Sequence, residues 1–198
     1  MQEHVNDEYV QRAQRDGYRS RAAYKLIDID KRDRLLRPGM AVVDLGAAPG
    51  SWSQVAAQRV GKSGAVVACD LLEMAPLPGV TFVMGDFTQA DIQAAILAGL
   101  NGRQPDLVLS DLAPNMSGIA NVDQSRTMEL CEAALEFSAA CLKPSGRLLV
   151  KTFQGADFIG LRAAFAARLG NVEIRKPPAS RDRSSEVYLL ARKVLAGA

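Results

Sequence analysis

Between Ala41 and Ala191 the chain alternates short β-branched runs with amphipathic stretches of helical period, and no other feature narrows the fold as much. The runs Ala41–Leu45, Ala65–Asp70, Thr81–Met84, Leu107–Ser110, Arg147–Lys151, Val172–Ile174 and Val187–Ala191 predict seven strands. Helices are predicted between them at Ser51–Val60, Gln89–Leu97, Val122–Leu142 and Ala156–Leu169. Strands alternating with helices imply a doubly wound α/β fold, a mostly parallel sheet covered on both faces. The last two strands are joined through Pro177-Pro178 with no helix between them, so they are expected to pair antiparallel at an edge, which places Glu186 on the edge strand. Two helical stretches, Asp7–Arg15 and Arg21–Leu36, precede this core, and Pro38-Gly39 ends them. With 198 residues, 48% of them hydrophobic, the chain suits one core. The expectation is a single domain over 1–198, in which 1–37 is a basic helical extension and 38–198 the catalytic and cofactor-binding core.

Composition removes several chemistries. The one histidine, His4, lies in a polar tail, which excludes Ser-His-Asp and Cys-His catalysis. Cys69, Cys131 and Cys141 sit in apolar segments without metal-site spacing, so reduced buried thiols are expected and no metal site. No apolar stretch is long enough to span a membrane, and the start Met1-Gln2-Glu3-His4 has no secretory pattern, so a cytoplasmic protein is expected. Charge is segregated. Residues 10–37 hold nine Lys or Arg against four acids, and residues 175–193 hold six against two; the whole chain is only +2, so the middle is net acidic. Basic ends of this kind favour a polyanionic partner such as RNA, with Arg19 and Arg21 expected on phosphates.

The first predicted strand runs Val43-Asp44-Leu45 into Gly46-Ala47-Ala48-Pro49-Gly50, then Ser51-Trp52 at a helix start. Such a turn lets backbone approach a ligand and presents free N–H groups. The second strand ends in Asp70, where doubly wound folds hold ribose hydroxyls. The third runs into Gly85-Asp86-Phe87, an acid for an adenine amino group beside a ring for the base. A dinucleotide would call for G-x-G-x-x-G, and the proline in Gly46-Ala47-Ala48-Pro49-Gly50 opposes that turn. S-adenosylmethionine carries no diphosphate and does not need it.

Five segments carry a closer resemblance: Gly17-Tyr18-Arg19-Ser20-Arg21-Ala22-Ala23-Tyr24-Lys25-Leu26, Asp44 through Trp52, Ser110-Asp111-Leu112-Ala113-Pro114-Asn115, Leu149-Val150-Lys151-Thr152-Phe153 and Ser184-Ser185-Glu186-Val187-Tyr188. Together they resemble the successive motifs of the FtsJ/RrmJ family of RNA 2′-O-methyltransferases. The resemblance implies a Rossmann-like S-adenosylmethionine-dependent methyltransferase fold and a catalytic tetrad at Lys25, Asp111, Lys151 and Glu186. It places the donor, released as S-adenosylhomocysteine, at Gly46, Gly50, Trp52, Asp70, Asp86 and Asp111. It further implies a uridine of 23S rRNA in the large ribosomal subunit as substrate; a monomer without membrane association is expected.

The chemistry agrees with the residue types. A ribose hydroxyl is a poor nucleophile and benefits from a positioned base. An amine serves only when neutral, and at the end of Arg147-Leu148-Leu149-Val150 desolvation and neighbouring cations favour that form for Lys151, while Asp111 opposes it and acts mainly by position. Trp52 reads either as a hydrophobic anchor or as packing beside the donor, Met116 to Val122 as a rim over the substrate, and Arg181-Asp182-Arg183-Ser184 as a phosphate-contacting loop or a solvated turn. Rival readings are methylation of tRNA or of an mRNA cap ribose, an amino-directed methyltransferase, a non-catalytic ribosome-assembly protein and a dehydrogenase. Asp111-Leu112-Ala113-Pro114 lacks the proline pair and stacking aromatic of the amino-directed enzymes.

Overall fold

Seven strands make one sheet in the order β3-β2-β1-β4-β5-β7-β6, with helices on both faces. The strands are β1 (Ala41–Leu45), β2 (Ala65–Asp70), β3 (Val80–Met84), β4 (Leu107–Ser110), β5 (Arg147–Phe153), β6 (Gly170–Arg175) and β7 (Glu186–Lys193). The helices are α1 (Glu8–Arg15), α2 (Ala22–Asp33), α3 (Ser51–Val60), α4 (Ala90–Ala98), α5 (Ala120–Cys141) and α6 (Phe158–Leu169). The computed structural model describes residues 8–114, 117–118, 120–180 and 184–194. The readings of the tail at His4, of Asn115 at the end of the motif from Ser110, of Met116 and Ile119 in the substrate rim, and of Arg181, Asp182 and Arg183 in the phosphate loop lie outside the described residues.

The first five strands are parallel neighbours, β3 to β2, β2 to β1, β1 to β4 and β4 to β5. As expected, β6 and β7 pair antiparallel and β6 closes the sheet edge. Glu186, however, is not on that edge: β7 lies one strand in, between β5 and β6, and is antiparallel to both. The displacement has a physical reason. Leu189 and Ala191 face one apolar layer while Tyr188 and Leu190 face the other, so β7 is buried on both sides and needs a neighbour along each edge.

Each layer has its own core. Leu135 of α5 and Phe165 of α6 pack on Val67, Val108, Leu148 and Val150. On the opposite face Leu26 and Ile29 of α2, with Trp52 and Val55 of α3, cover Val42, Leu109 and Leu149. The helical lead-in is therefore part of this second layer. Helix α2 stops at Asp33, three residues short of the predicted end. Arg34 adopts a left-handed conformation (φ 49°) and caps it by donating to the Asp30 carbonyl, while the Asp30 carboxylate accepts the Leu36 N–H at 2.8 Å. That turn drives Leu35 and Leu36 inward instead of onward along the helix.

Strand alternation positions the chemistry. Leu149 faces the α2/α3 layer, so Lys151, two residues on, shares that face. Lys151 is the cross-strand partner of Tyr188, and Glu186 precedes Tyr188 by two. Lys25 of α2 looks down on the same spot.

Candidate active site

The carboxyl ends of β1, β2 and β4 border a groove of about 320 Å³ whose walls include Gly46, Asp70, Asp86, Phe87, Asp111 and Leu112. At its base, Gly46 (φ 73°) and Ala47 donate their N–H groups to the Cys69 carbonyl at 2.9 and 3.1 Å, folding the loop after β1 back over β2. A Cβ on Gly46 would lie 2.6 Å from the Leu112 side chain, so both its dihedral angle and its packing demand glycine. Asp70 accepts the Ala48 N–H at 2.8 Å and the Leu72 N–H at 2.9 Å, which fixes its carboxylate at the groove wall. Asp86 accepts the Thr88 N–H and hydroxyl at 2.9 and 2.8 Å, and these bonds hold its carboxyl below the usual carboxylate range.

Gly50 and Trp52 stand apart from the other expected donor residues, because neither side of the groove includes them. The Trp52 indole is buried, donates to the Ala22 carbonyl at 2.8 Å and packs 5.7 Å from the Tyr188 ring, which is the anchor reading. What Trp52 presents toward the loop is its backbone N–H, in the turn before the first helical bond of α3, from Gln54 N–H to the Gly50 carbonyl. Gly50 (φ 106°) is a packing glycine: a Cβ would approach Met74 Sδ to 2.7 Å and the Arg19 guanidinium to 2.9 Å.

Lys151 and Asp111 meet at the edge of this groove. The Lys151 Nζ donates to the Asp111 carbonyl at 2.7 Å and lies 3.2 Å from its carboxylate. Lys25 reaches Glu186 at 2.8 Å and 2.7 Å to its two oxygens, and the Ser180 hydroxyl also donates to Glu186 at 2.8 Å. Tyr188 joins the two pairs, its hydroxyl 3.1 Å from Asp111 Oδ1. Burial pushes the Glu186 carboxyl up, but the bond and charge of Lys25, with Ser180 and the charge of Lys151, outweigh it and hold it low. Tyr188 is pushed well above its usual value by burial, reinforced by the charges of Asp111 and Glu186, so it is a fixed hydrogen-bond donor. The four side chains expected from the sequence thus form one network.

The profile of the FtsJ-like methyltransferases matches residues 18–194, a span that runs from the motif before Lys25 to the end of β7. The chain belongs to that family. A ribosomal RNA large subunit methyltransferase E of Azoarcus sp. (strain BH72) is 61% identical over 96% of this chain and 93% of its own. The protein of that name from Thiobacillus denitrificans is 60% identical over 98% of this chain and 88% of its own. Among solved structures, a Plasmodium falciparum protein described as a ribosomal RNA methyltransferase superposes with a TM-score of 0.81 at 27% identity, covering 90% of this chain and all of that one.

Within this FtsJ-like site, Tyr188, Ser180 and Asp44 escaped the sequence reading. Tyr188 had a signal, since it stands two residues from Glu186 on one strand face. Asp44 had none. It is wholly buried, one oxygen accepts the Ser53 hydroxyl at 2.6 Å, and the other has no partner among the described residues. Burial, with the charges of Asp111 and Asp70 added, raises it to about 7 against the opposing Ser53 bond. Arg19 and Arg21 also brace the fold. The Arg19 guanidinium donates to the Pro49 and Ala75 carbonyls at 2.8 Å and to Pro76 at 2.9 Å, and Arg21 donates to Ala179 at 2.5 Å. Both arginines spend donors on the chain's own backbone. Cys69, Cys131 and Cys141 are free and buried, and among the described residues no helix is long and apolar enough to cross a membrane.

Proposed function

We propose that this chain transfers a methyl group from S-adenosylmethionine to the 2′-hydroxyl of a uridine in 23S rRNA, within the large ribosomal subunit, with Lys151 as the base. The observation that carries the reading is the single network of Lys25, Glu186, Tyr188, Asp111 and Lys151 at the groove edge. The names of the Azoarcus and Thiobacillus relatives support the ribosomal substrate.

The groove suits such a donor. Asp70 and Asp86 are acceptors for ribose hydroxyls and an adenine amine, Gly46 leaves backbone exposed, and the carboxylates of Asp70, Asp86 and Asp111 suit a cation. When bound, the sulfonium donor supplies an electrophilic methyl group and a positive charge that favours a neutral amine next to it. A neutral Lys151 has two N–H bonds and one lone pair. One N–H is held by the Asp111 carbonyl and the Asp111 carboxylate lies 3.2 Å away, so the lone pair can turn to the incoming hydroxyl. The hydroxyl oxygen would take the methyl group as the methyl–sulfur bond breaks and the donor leaves as neutral S-adenosylhomocysteine; the hydroxyl proton would pass to Lys151, whose ammonium the Asp111 carboxylate would stabilise. Tyr188 holds that carboxylate in place. Lys25, paired with Glu186, is placed to hold the ribose. A soluble cytoplasmic enzyme acting as a monomer fits this reading.

The test is to incubate the purified protein with labelled donor and large subunits lacking its mark, then to digest the RNA to nucleosides. A 2′-O-methyluridine is the expected product. A base-methylated nucleoside, or transfer only to transfer RNA or a capped messenger, would reassign the substrate.

A further inference from the structure

A second cavity, of about 450 Å³, opens at the far rim of the sheet, where β1, β4 and β5 begin. Arg37, Arg147 and Arg192 line it together with Asp33, Asp106 and Glu173. The three acids are already engaged. Asp33 receives Nε and Nη2 of Arg175 at 2.6 and 2.7 Å, Glu173 also pairs with Arg175, and Asp106 pairs with Lys143 while accepting the Ala41 N–H at 2.8 Å. The three arginines are not compensated in this way. Among the described residues none of them has a carboxylate at ion-pair distance, and Arg147 instead donates to the Asp33 and Arg34 carbonyls at 2.9 and 3.4 Å.

Their arrangement concentrates positive charge. Arg147 and Arg192 are direct partners across β5 and β7, and like charges facing each other in an antiparallel pair are destabilising. Burial pulls Arg147 below the ordinary guanidinium value, and the charges of Arg37 and Arg192 pull it further against the smaller opposing charges of Asp33 and Asp30. Converging guanidinium forks offer paired N–H donors in the geometry of a phosphate.

We propose that this cavity binds a phosphate group of the RNA substrate, at a contact separate from the active site. The phosphate chemistry follows from the arginines alone; the RNA as its source rests on the function proposed above. From Arg147 to Lys151 the strand spans roughly 13 Å through the sheet, and the two rims face opposite ways. A short strand lying over Lys151 cannot touch both rims, whereas a folded RNA that surrounds the protein can. The site therefore selects a folded large RNA over a short oligonucleotide of the same sequence.

The test uses the double variant Arg37→Ala/Arg192→Ala in the full chain. Both side chains are exposed and hold no hydrogen bond among the described residues, so the fold is retained; either single variant repeats the measurement should the pair lose stability. Inorganic phosphate, at ionic strength matched with chloride, is expected to raise the Tm of the parent protein and not that of the variant. Affinity for a folded 23S rRNA domain is expected to fall about tenfold, with a salt slope shallower by about one, while binding of a short target oligonucleotide and of the methyl donor stays unchanged. An equal phosphate response in both proteins, or none in the parent, overturns the site. Loss of the phosphate response with unchanged folded-RNA affinity overturns RNA as the source and points to a small phosphorylated ligand. Failure of the methyltransferase reading is distinct, appearing as absent methyl transfer by the parent protein whatever the phosphate result.

Discussion

Asp44 is a wholly buried carboxyl with one unpartnered oxygen among the described residues, and its effect on stability has a definite sign. Because burial lifts its folded value to about 7, the folded chain retains a proton that the unfolded chain releases in the ordinary carboxylate range. The stability it contributes is complete below about pH 4 and is lost as the pH rises through about 7. Asp44→Asn keeps an acceptor for Ser53 and removes the buried charge. It is expected to be more stable than the parent above pH 7, by an amount on the order of a few kcal/mol, with the difference vanishing toward pH 4. Thermal unfolding across that range checks this, and a constant difference would refute it. Arg19→Ala removes the donors that tie Pro49 to Ala75 and Pro76. It is expected to weaken donor binding about tenfold or more, read by the donor-dependent rise in Tm, without changing the salt slope of RNA binding. Lys25, Asp111, Lys151 and Glu186 were legible as motif residues. The internal work of Arg19 and Arg21 was not, because a charge in a sequence does not disclose which carbonyls its donors will meet.

Most helices and strands were legible from periodicity, and the misses have local causes. Strand β5 runs two residues past Lys151 because β7 continues to pair with it as far as Phe153 and Glu186. Helix α2 ends early because Asp30 captures the Leu36 N–H, a side-chain event invisible to a hydrophobic pattern. The position of β7 was the real loss: adjacency in sequence pointed to an edge, whereas sheet order is set by burial of both its faces. Helix α2 both fills a core layer and delivers Lys25, so the two roles are separable by substitution. Leu26→Ala is expected to cost about 2–5 kcal/mol in denaturant unfolding, since Leu26 is fully buried. Lys25→Arg, one position away, keeps a cation on the buried Glu186 and is expected to leave the unfolding midpoint near that of the parent while lowering methyl transfer. Equal destabilisation by both would show that Lys25 is structural.

For the molecule as a whole, topology brings together what the chain separates. Lys25 with Glu186 and Asp33 with Arg175 join the two basic ends along one flank. The acidic middle supplies Asp70, Asp86 and Asp111 to the groove. The segregated charge seen in the sequence thus becomes an anionic pocket set against a cationic flank, the pattern that the proposed cationic donor and polyanionic substrate require. Proton acceptance by Lys151 is the step on which this reading depends, and single-turnover methyl transfer by Lys151→Ala to large subunits at saturating donor tests it most directly. The predicted result is a rate lower by about 10²–10⁴ with the donor-dependent rise in Tm intact. A rate near that of the parent protein would contradict it.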